Sequence, residues 1–200
     1  MPTMMTRNAT IKRKTKETDI FCEFSVEGTG TAHIKTGNAF FDHMLTLFTV
    51  HGLFDCDIDC KGDHEVDFHH SAEDVGICLG EAVSKVSENK QGIVRYGCAY
   101  IPMDESLGRV CCDICGRPNL IYNVIVNSAR INDFEVELAE DFFKAFTDHA
   151  QLTLHVDLLR GRNAHHSLEA LFKAFGHSLA QALSRNPRAI NKVLSSKGVL

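Results

Sequence analysis

One short pattern occurs twice in this chain: His69-His70-Ser71-Ala72-Glu73 and His165-His166-Ser167-Leu168-Glu169, each followed by an apolar run at helical intervals. If each copy opens a helix, the first His and the Glu four positions later sit about 40° apart around the axis, and the second His points about 100° away from the first. One helix can then offer donors to two cations: His69 with Glu73, and His165 with Glu169, each clasp one ion, while His70 and His166 reach toward another. Imidazole nitrogen and carboxylate oxygen are ordinary ligands for Zn, Mn, Fe and Ni, and the lack of thiolate in the cluster argues against a Cys-rich structural zinc site. A single such cluster more often decorates a helix start. Its repetition reverses those odds and points to a metalloenzyme built by duplication.

The repeat extends upstream. In register, His43 through Val50-His51 matches Asp141 through Asp148-His149, so that His43 corresponds to Asp141 and His51 to His149. Two copies of this length imply one supersecondary unit used twice about a pseudo-twofold axis, rather than a solenoid. Such an axis partitions the donors: one ion takes His43, His70, His165 and Glu169, and its counterpart takes Asp141, His166, His69 and Glu73. Symmetry thus nominates Asp141, which nothing in its own neighbourhood would have done.

The rest of the sequence bounds the answer. With 200 residues, 44% hydrophobic and 24% charged, the chain suits one compact domain made of two similar halves, about residues 7–92 and 93–200. A formal net charge of -5 disfavours a nucleic-acid surface, and the basic run at Lys12, Arg13, Lys14 and Lys16 reads as a solvated strand face. No stretch is long and apolar enough for a membrane span, and Met1 to Lys16 lacks the apolar core of a signal peptide, which points to a cytoplasmic protein with no membrane partner. Cys111-Cys112-Asp113-Ile114-Cys115 reads as a strand whose residues three apart face opposite sides, so most of the eight cysteines are expected to be free, partly buried thiols.

Periodicity predicts the elements. Alternation through Ile20, Cys22, Phe24 and Val26 followed by Gly28-Thr29-Gly30 reads as a hairpin within residues 9–35, and Phe40 to His51 as a helix stopping before Gly52. Strands are expected over 53–61, 96–103, 109–116, 120–126 and 151–159, and helices from the first His cluster to about Ser87, over 134–149 and over 164–184. The implied class is α+β, with two β-sheets flanking a bundle of helices.

Other motifs fail on inspection. His64-Glu65 followed by His69 places its histidines five apart, where the zinc-protease helix needs four. Ser87-Glu88-Asn89 and Lys35-Thr36-Gly37 resemble β-lactamase motifs in reversed order, and no glycine-rich nucleotide loop occurs. The tail Ser195-Ser196-Lys197 could receive a phosphate, although frayed termini share its composition.

Phe41-Asp42-His43-Met44-Leu45, His51-Gly52-Leu53-Phe54-Asp55, Gly62-Asp63, both His clusters, Arg95-Tyr96-Gly97, Pro102-Met103-Asp104-Glu105, Gly116-Arg117-Pro118, Thr153-Leu154-His155 and Ser195 through Leu200 together closely resemble the imidazoleglycerol-phosphate dehydratase family, in order, from about Arg7 to the last residue. The resemblance implies dehydration of imidazole glycerol phosphate to imidazole acetol phosphate in histidine biosynthesis, through a dimetal-stabilised imidazolate with two Mn2+ per active site. It also implies homo-oligomers of 24 subunits with active sites between neighbours. The family's ligand positions fall on His43, His69, His70, Glu73, His165, His166 and Glu169, and its phosphate contacts on Arg95, Arg117, Lys173, Ser195, Ser196 and Lys197. Its N-terminal substrate-contacting glutamate falls on Glu17, the first choice for the carbon-bound proton, with Asp104 or Glu105 second; His51 joins the substrate contacts. Two departures stand out. Asp141 and Leu47 replace His and Gln of many members; Asp141 is a competent, harder ligand, and His149 is the nearby alternative. A dinuclear hydrolase using metal-activated water and a metal-storage protein are the competing classes.

Overall fold

The computed structural model describes residues 7–200. The first sheet comprises β1 (Asn8–Lys14), β2 (Thr18–Ser25), β3 (Ala32–Lys35) and β4 (Asp55–Gly62) in the order β1-β2-β4-β3, and the second comprises β5 (Tyr96–Met103), β6 (Ser106–Asp113), β7 (Asn119–Asn123) and β10 (Thr153–Arg160) in the order β5-β6-β10-β7. The two orders are the same when the copies are overlaid. In each sheet the first three strands in that order are antiparallel and the last pair, β3 with β4 or β7 with β10, is parallel. Parallel neighbours need a crossover, and α1 (Ala39–Gly52) and α3 (Leu138–Ala150) supply it. The His-headed helices α2 (His69–Val86) and α4 (Ala164–Leu183) follow β4 and β10.

The helices form a layer between the sheets. Helix α2 packs on β1, β2 and β4, α4 on β5, β6 and β10, and the helices pair as α2 with α3 and α1 with α4. Strand alternation explains the sheet faces: Ile20, Cys22, Phe24, Cys56, Ile58 and Cys60 point inward, while Asp19, Glu23, Asp57 and Asp59 point outward. Stacked and edge-on phenylalanines, among them Phe48 with Phe175 and Phe142 with Phe172, fill the helix layer. Both helix pairs close at glycine: a Cβ at Gly80 would lie 2.6 Å from the Phe146 carbonyl oxygen, and one at Gly176 would lie 2.4 Å from that of Phe48.

Four details differ from the sequence reading. The hairpin turns at residues 15–17, between β1 and β2; the Gly28-Thr29-Gly30 segment instead leads to β3, which pairs with β4 because the next element is a crossover helix. Helix α1 includes Gly52, and Leu53 takes the left-handed cap at φ 53°, since a Cβ at Gly52 would strike the Phe54 ring. Phe134 and Glu135 form β9 (Phe134–Glu135) with β8 (Arg130–Ile131), and α3 starts only at Leu138, because the turn at Asn132, φ 54°, fits a ribbon and Phe134 is drawn against Phe40 and Phe41. Finally, Cys98 and Cys111 are disulfide-bonded, an exception to the expected free thiols, which the other six, Cys22, Cys56, Cys60, Cys78, Cys112 and Cys115, remain, all buried. The Cys98 N–H turns away from β6 to Gln181, so Cys98 and Cys111 form a non-hydrogen-bonded cross-strand pair, the arrangement with the closest side chains. Strand β6 ends at Asp113, so Cys115 escapes the alternation and is buried against Arg117 and Thr153.

The loop before β3 is held by one carboxylate. Asp55 accepts the backbone N–H of Thr29 at 2.8 Å and of Thr31 at 2.9 Å. The Thr29 N–H, with that of Thr31, keeps this carboxyl below the usual range by outweighing the opposing effect of burial. A carboxyl depressed in the fold contributes stability above its unfolded value, about 3.9, and loses it as pH falls through the folded value. Asp55→Asn is therefore expected to cost about 1 kcal/mol at neutral pH, a difference that shrinks below the unfolded value. Urea midpoints of both proteins measured from neutral to acid pH check this; a constant gap would contradict it.

Candidate active site

The first group of donors forms where α1 meets α4. Asn38 caps α1 by accepting the N–H groups of Phe40 and Phe41, which fixes the turn that carries His43, and Asn163 caps α4 by accepting that of His166. On α4, His165 Nε2 lies 3.1 Å from Glu169 Oε2, as the four-residue spacing requires. His43 Nε2 reaches the same oxygen at 3.6 Å. One donor atom from each of His43, His165 and Glu169 lies within 4.8 Å of the others. Burial by itself would raise the Glu169 carboxyl, but Lys173, whose Nζ sits 2.6 Å from Oε1, outweighs it together with His165 and His43 and holds the group below the usual carboxylate range.

A second, more open group forms where α2 meets α3. His69 Nε2 lies 3.9 Å from Glu73 Oε2, and His69 Nδ1 lies 3.4 Å from Asp141 Oδ2. Glu73 is 49% exposed where Glu169 is 10% exposed, so these side chains are less constrained by packing. Asp141 thus stands beside His69, while His149 has its Nδ1 against the Ala145 carbonyl of its own helix at 2.9 Å. Two imidazoles and a carboxylate in the first group suit a divalent ion such as Mn2+, whereas in the second Glu73 and Asp141 face different ring nitrogens of His69, so those three side chains do not converge on one point.

The second histidine of each pair points elsewhere, its ring close to perpendicular to its neighbour's. His70 meets Asp63 through Nδ1 at 3.1 Å and Glu17 across 3.9 Å from Nε2; His166 meets Glu105 through Nδ1 at 2.8 Å and Asp104 across 3.8 Å from Nε2. Neither joins the three-donor group of its own chain that the pseudo-symmetric partition assigns to it. Glu17 is carried by the β1–β2 turn and Asp104 by the β5–β6 turn, equivalent places in the two copies. His64 lies outside α2, with its ring nitrogen on the Ser71 hydroxyl, so the zinc-protease spacing has no structural counterpart.

The residues nominated for phosphate are split. Lys173 is beside Glu169, and His51 lies nearby, ring to ring with His177; burial and the Lys173 charge push the His51 imidazole down. Arg95 is at the other end of α4. Its backbone N–H donates to the Ala182 carbonyl, its guanidinium grips Asp113 at 2.7 and 3.0 Å, and Nη1 donates to the Leu194 carbonyl at 2.5 Å. That last contact, with the bridge between Gln91 and Val193, brings Ser195, Ser196 and Lys197 to the Arg95 end, and Leu200 lies against Gly116 next to the exposed Arg117. From Glu169 to Ala182, α4 rises about 20 Å at 1.5 Å per residue.

Asp63 and Asp113 were not singled out from sequence as site residues. Asp63 was visible only within the Gly62-Asp63 motif, and nothing near Asp113 signals a partner 18 residues away.

The comparisons with known proteins fit this geometry. The family model described as imidazoleglycerol-phosphate dehydratase matches residues 36–179. This chain belongs to the imidazoleglycerol-phosphate dehydratase family. Its relatives include the imidazoleglycerol-phosphate dehydratases of Caldanaerobacter subterraneus, 52% identical over 97% of this chain and 100% of the relative, and of Pelobacter propionicus, 50% identical over 98% and 100%. Among solved structures, the family enzyme from Staphylococcus aureus superposes with TM-score 0.81 at 41% identity, covering 90% of this chain and 99% of that one. The Pyrococcus furiosus enzyme, solved in complex with (S)-C348, gives TM-score 0.81 at 37% identity over 95% and 100%. Dehydratases of this family are hydro-lyases, and the α+β duplicated architecture is theirs. Among the described residues no helix is long and apolar enough to cross a membrane.

Proposed function

We propose that this chain removes water from imidazole glycerol phosphate to give imidazole acetol phosphate in histidine biosynthesis, as a cytoplasmic homo-oligomer of 24 subunits that carries two Mn2+ per active site. The observation that supports it most directly is the convergence of His43, His165 and Glu169 at the mouth of the α1–α4 pair; at the corresponding place on α2–α3, Glu73 and Asp141 flank His69 from its two ring nitrogens. When bound, a cation pair supplies Lewis acidity that draws charge from the substrate's imidazole ring as hydroxide departs. The chain's own residues do the rest. His70 and His166 complete the two donor sets, and Arg95, Arg117, Ser195, Ser196 and Lys197 take the phosphate, for which guanidinium geometry gives paired hydrogen bonds.

Separation along α4 argues for shared sites. A three-carbon chain between ring and phosphate cannot bridge the roughly 20 Å between Glu169 and the Arg95 end of the same subunit. The phosphate group of residues therefore serves a donor group of another copy. Of the three carboxylates considered for the carbon-bound proton, Glu105 is fully engaged by His166 and by the N–H groups of Arg162 and Asn163. Glu17 and Asp104 are exposed beside a second histidine, and Glu17 is our choice.

The test is direct. Mn-loaded protein incubated with imidazole glycerol phosphate should form the acetol product, and Glu17→Gln should lower kcat by about 10²-fold or more while Mn2+ content stays at the wild-type level. Wild-type turnover in that variant removes Glu17 from the role. Hydrolysis of the phosphate ester, or metal uptake with no change in the imidazole compound, would favour the hydrolase or the storage reading instead.

A further inference from the structure

We propose that Asp63 and Glu105 are positioning residues: each holds Nδ1 of the second histidine of its pair and so presents Nε2, with its lone pair, as a metal donor directed away from its own three-donor group. The inference rests on the metal reading given above. Its basis is a contact that occurs twice, built from different parts of the chain. Asp63, just beyond the end of β4, places both carboxylate oxygens 3.1 and 3.2 Å from His70 Nδ1, and Glu105, in the β5–β6 turn, places Oε2 2.8 Å from His166 Nδ1. The two carboxylates are not equivalent in the repeat. Asp63 precedes its histidine by seven residues and Glu105 by 61, so duplication of one segment did not simply copy the contact.

The chemistry follows from the contact. An ionised carboxylate only accepts, so the nitrogen facing it carries the proton, and in a neutral imidazole the other nitrogen keeps its lone pair. That nitrogen is Nε2 in both residues. Its nearest carboxylates, Glu17 and Asp104, stand 3.9 and 3.8 Å away, beyond hydrogen-bond reach, and so leave it available. Ring orientation is fixed by the same contact, since a histidine at the exposed start of a helix otherwise samples several rotamers. Glu105 also ties two layers together: Oε1 accepts from Asn163 N at 2.8 Å and Arg162 N at 3.2 Å, locking the β5–β6 turn to the start of α4. Glu105 acts through His166 and need not touch substrate.

Intact assembled protein titrated with Mn2+ alone, with free Mn2+ followed by electron paramagnetic resonance, tests the proposal. Wild type is expected to show two tight sites per chain. Asp63→Asn should weaken one class about 10- to 100-fold and leave the other, with an unchanged melting temperature, and Glu105→Gln should weaken the complementary class. The Asp63 carboxylate has no other hydrogen-bond partner among the described residues, so Asp63→Asn carries the test by itself if Glu105→Gln fails to assemble. Unchanged affinity in Asp63→Asn overturns the proposal, and so does equal weakening of both classes accompanied by a lower melting temperature. Wild-type protein that takes up no Mn2+ defeats the metal reading itself, before any variant is compared.

Discussion

Glu169→Gln is expected to reduce Mn2+ from two per chain to one and to lower dehydratase turnover by roughly a thousandfold or more, the loss of about 4 kcal/mol of transition-state stabilisation. One Glu169 oxygen is the meeting point of His165 at 3.1 Å and His43 at 3.6 Å, and the other is taken by Lys173 at 2.6 Å. The amide keeps the shape but loses the charge that makes the group a ligand for a hard cation. It also leaves Lys173 largely buried without its counter-charge, which is destabilising in its own right. The two effects separate in the double variant Glu169→Gln/Lys173→Met, which should recover melting temperature relative to Glu169→Gln but still hold one Mn2+. Metal analysis after gel filtration, thermal melts and turnover on the three proteins make the comparison. Two Mn2+ per chain in Glu169→Gln, with turnover within tenfold of wild type, would show that Glu169 is not a ligand.

What was legible in the sequence was what local geometry controls. The contact between His165 and Glu169 follows from helix pitch, as does the different direction that His166 takes toward Glu105, because residues one and four apart on a helix have fixed angular relations. The position of Asp141 beside His69 could be reached because the chain repeats itself and register equates Asp141 with His43. The strand faces of β2 and β4 followed from alternation. Contacts set by tertiary approach were not legible. Nothing near Glu105 indicates that its carboxylate will meet a histidine 61 residues on. The same holds for Asp113 on Arg95, and for Cys98 with Cys111, where facing strand positions bring the sulfurs together despite a composition typical of free thiols. The misplaced hairpin has a related cause. Glycines at Gly28 and Gly30 mark a change of direction, but which strand β3 then joins depends on α1 crossing over to β4.

Mixing two inactive variants, Glu169→Gln and Lys197→Glu, should restore activity when they are assembled into the same particles, and this is the larger qualitative effect because each parent is expected to be nearly silent. Lys197 is exposed on the tail that Arg95 and Gly116 hold at the far end of α4, so reversing its charge repels phosphate without disturbing the core. Glu169→Gln disables the donor group at the near end. If one active site took both parts from a single subunit, every site in a mixed particle would carry one defect or the other. On the proposed function, the distance along α4 separates the two parts within one subunit, so a site would pair the donor group of one copy with the tail of a second, through a heterologous contact. Random assembly at equal proportions then gives roughly one site in four with an intact donor group facing an intact tail. Co-expressed, differently tagged chains purified through both tags should therefore recover roughly a quarter of wild-type turnover per site, against almost none for either parent. Recovery no greater than the sum of the parents would place both halves of the site in one chain and remove the basis for sharing between copies.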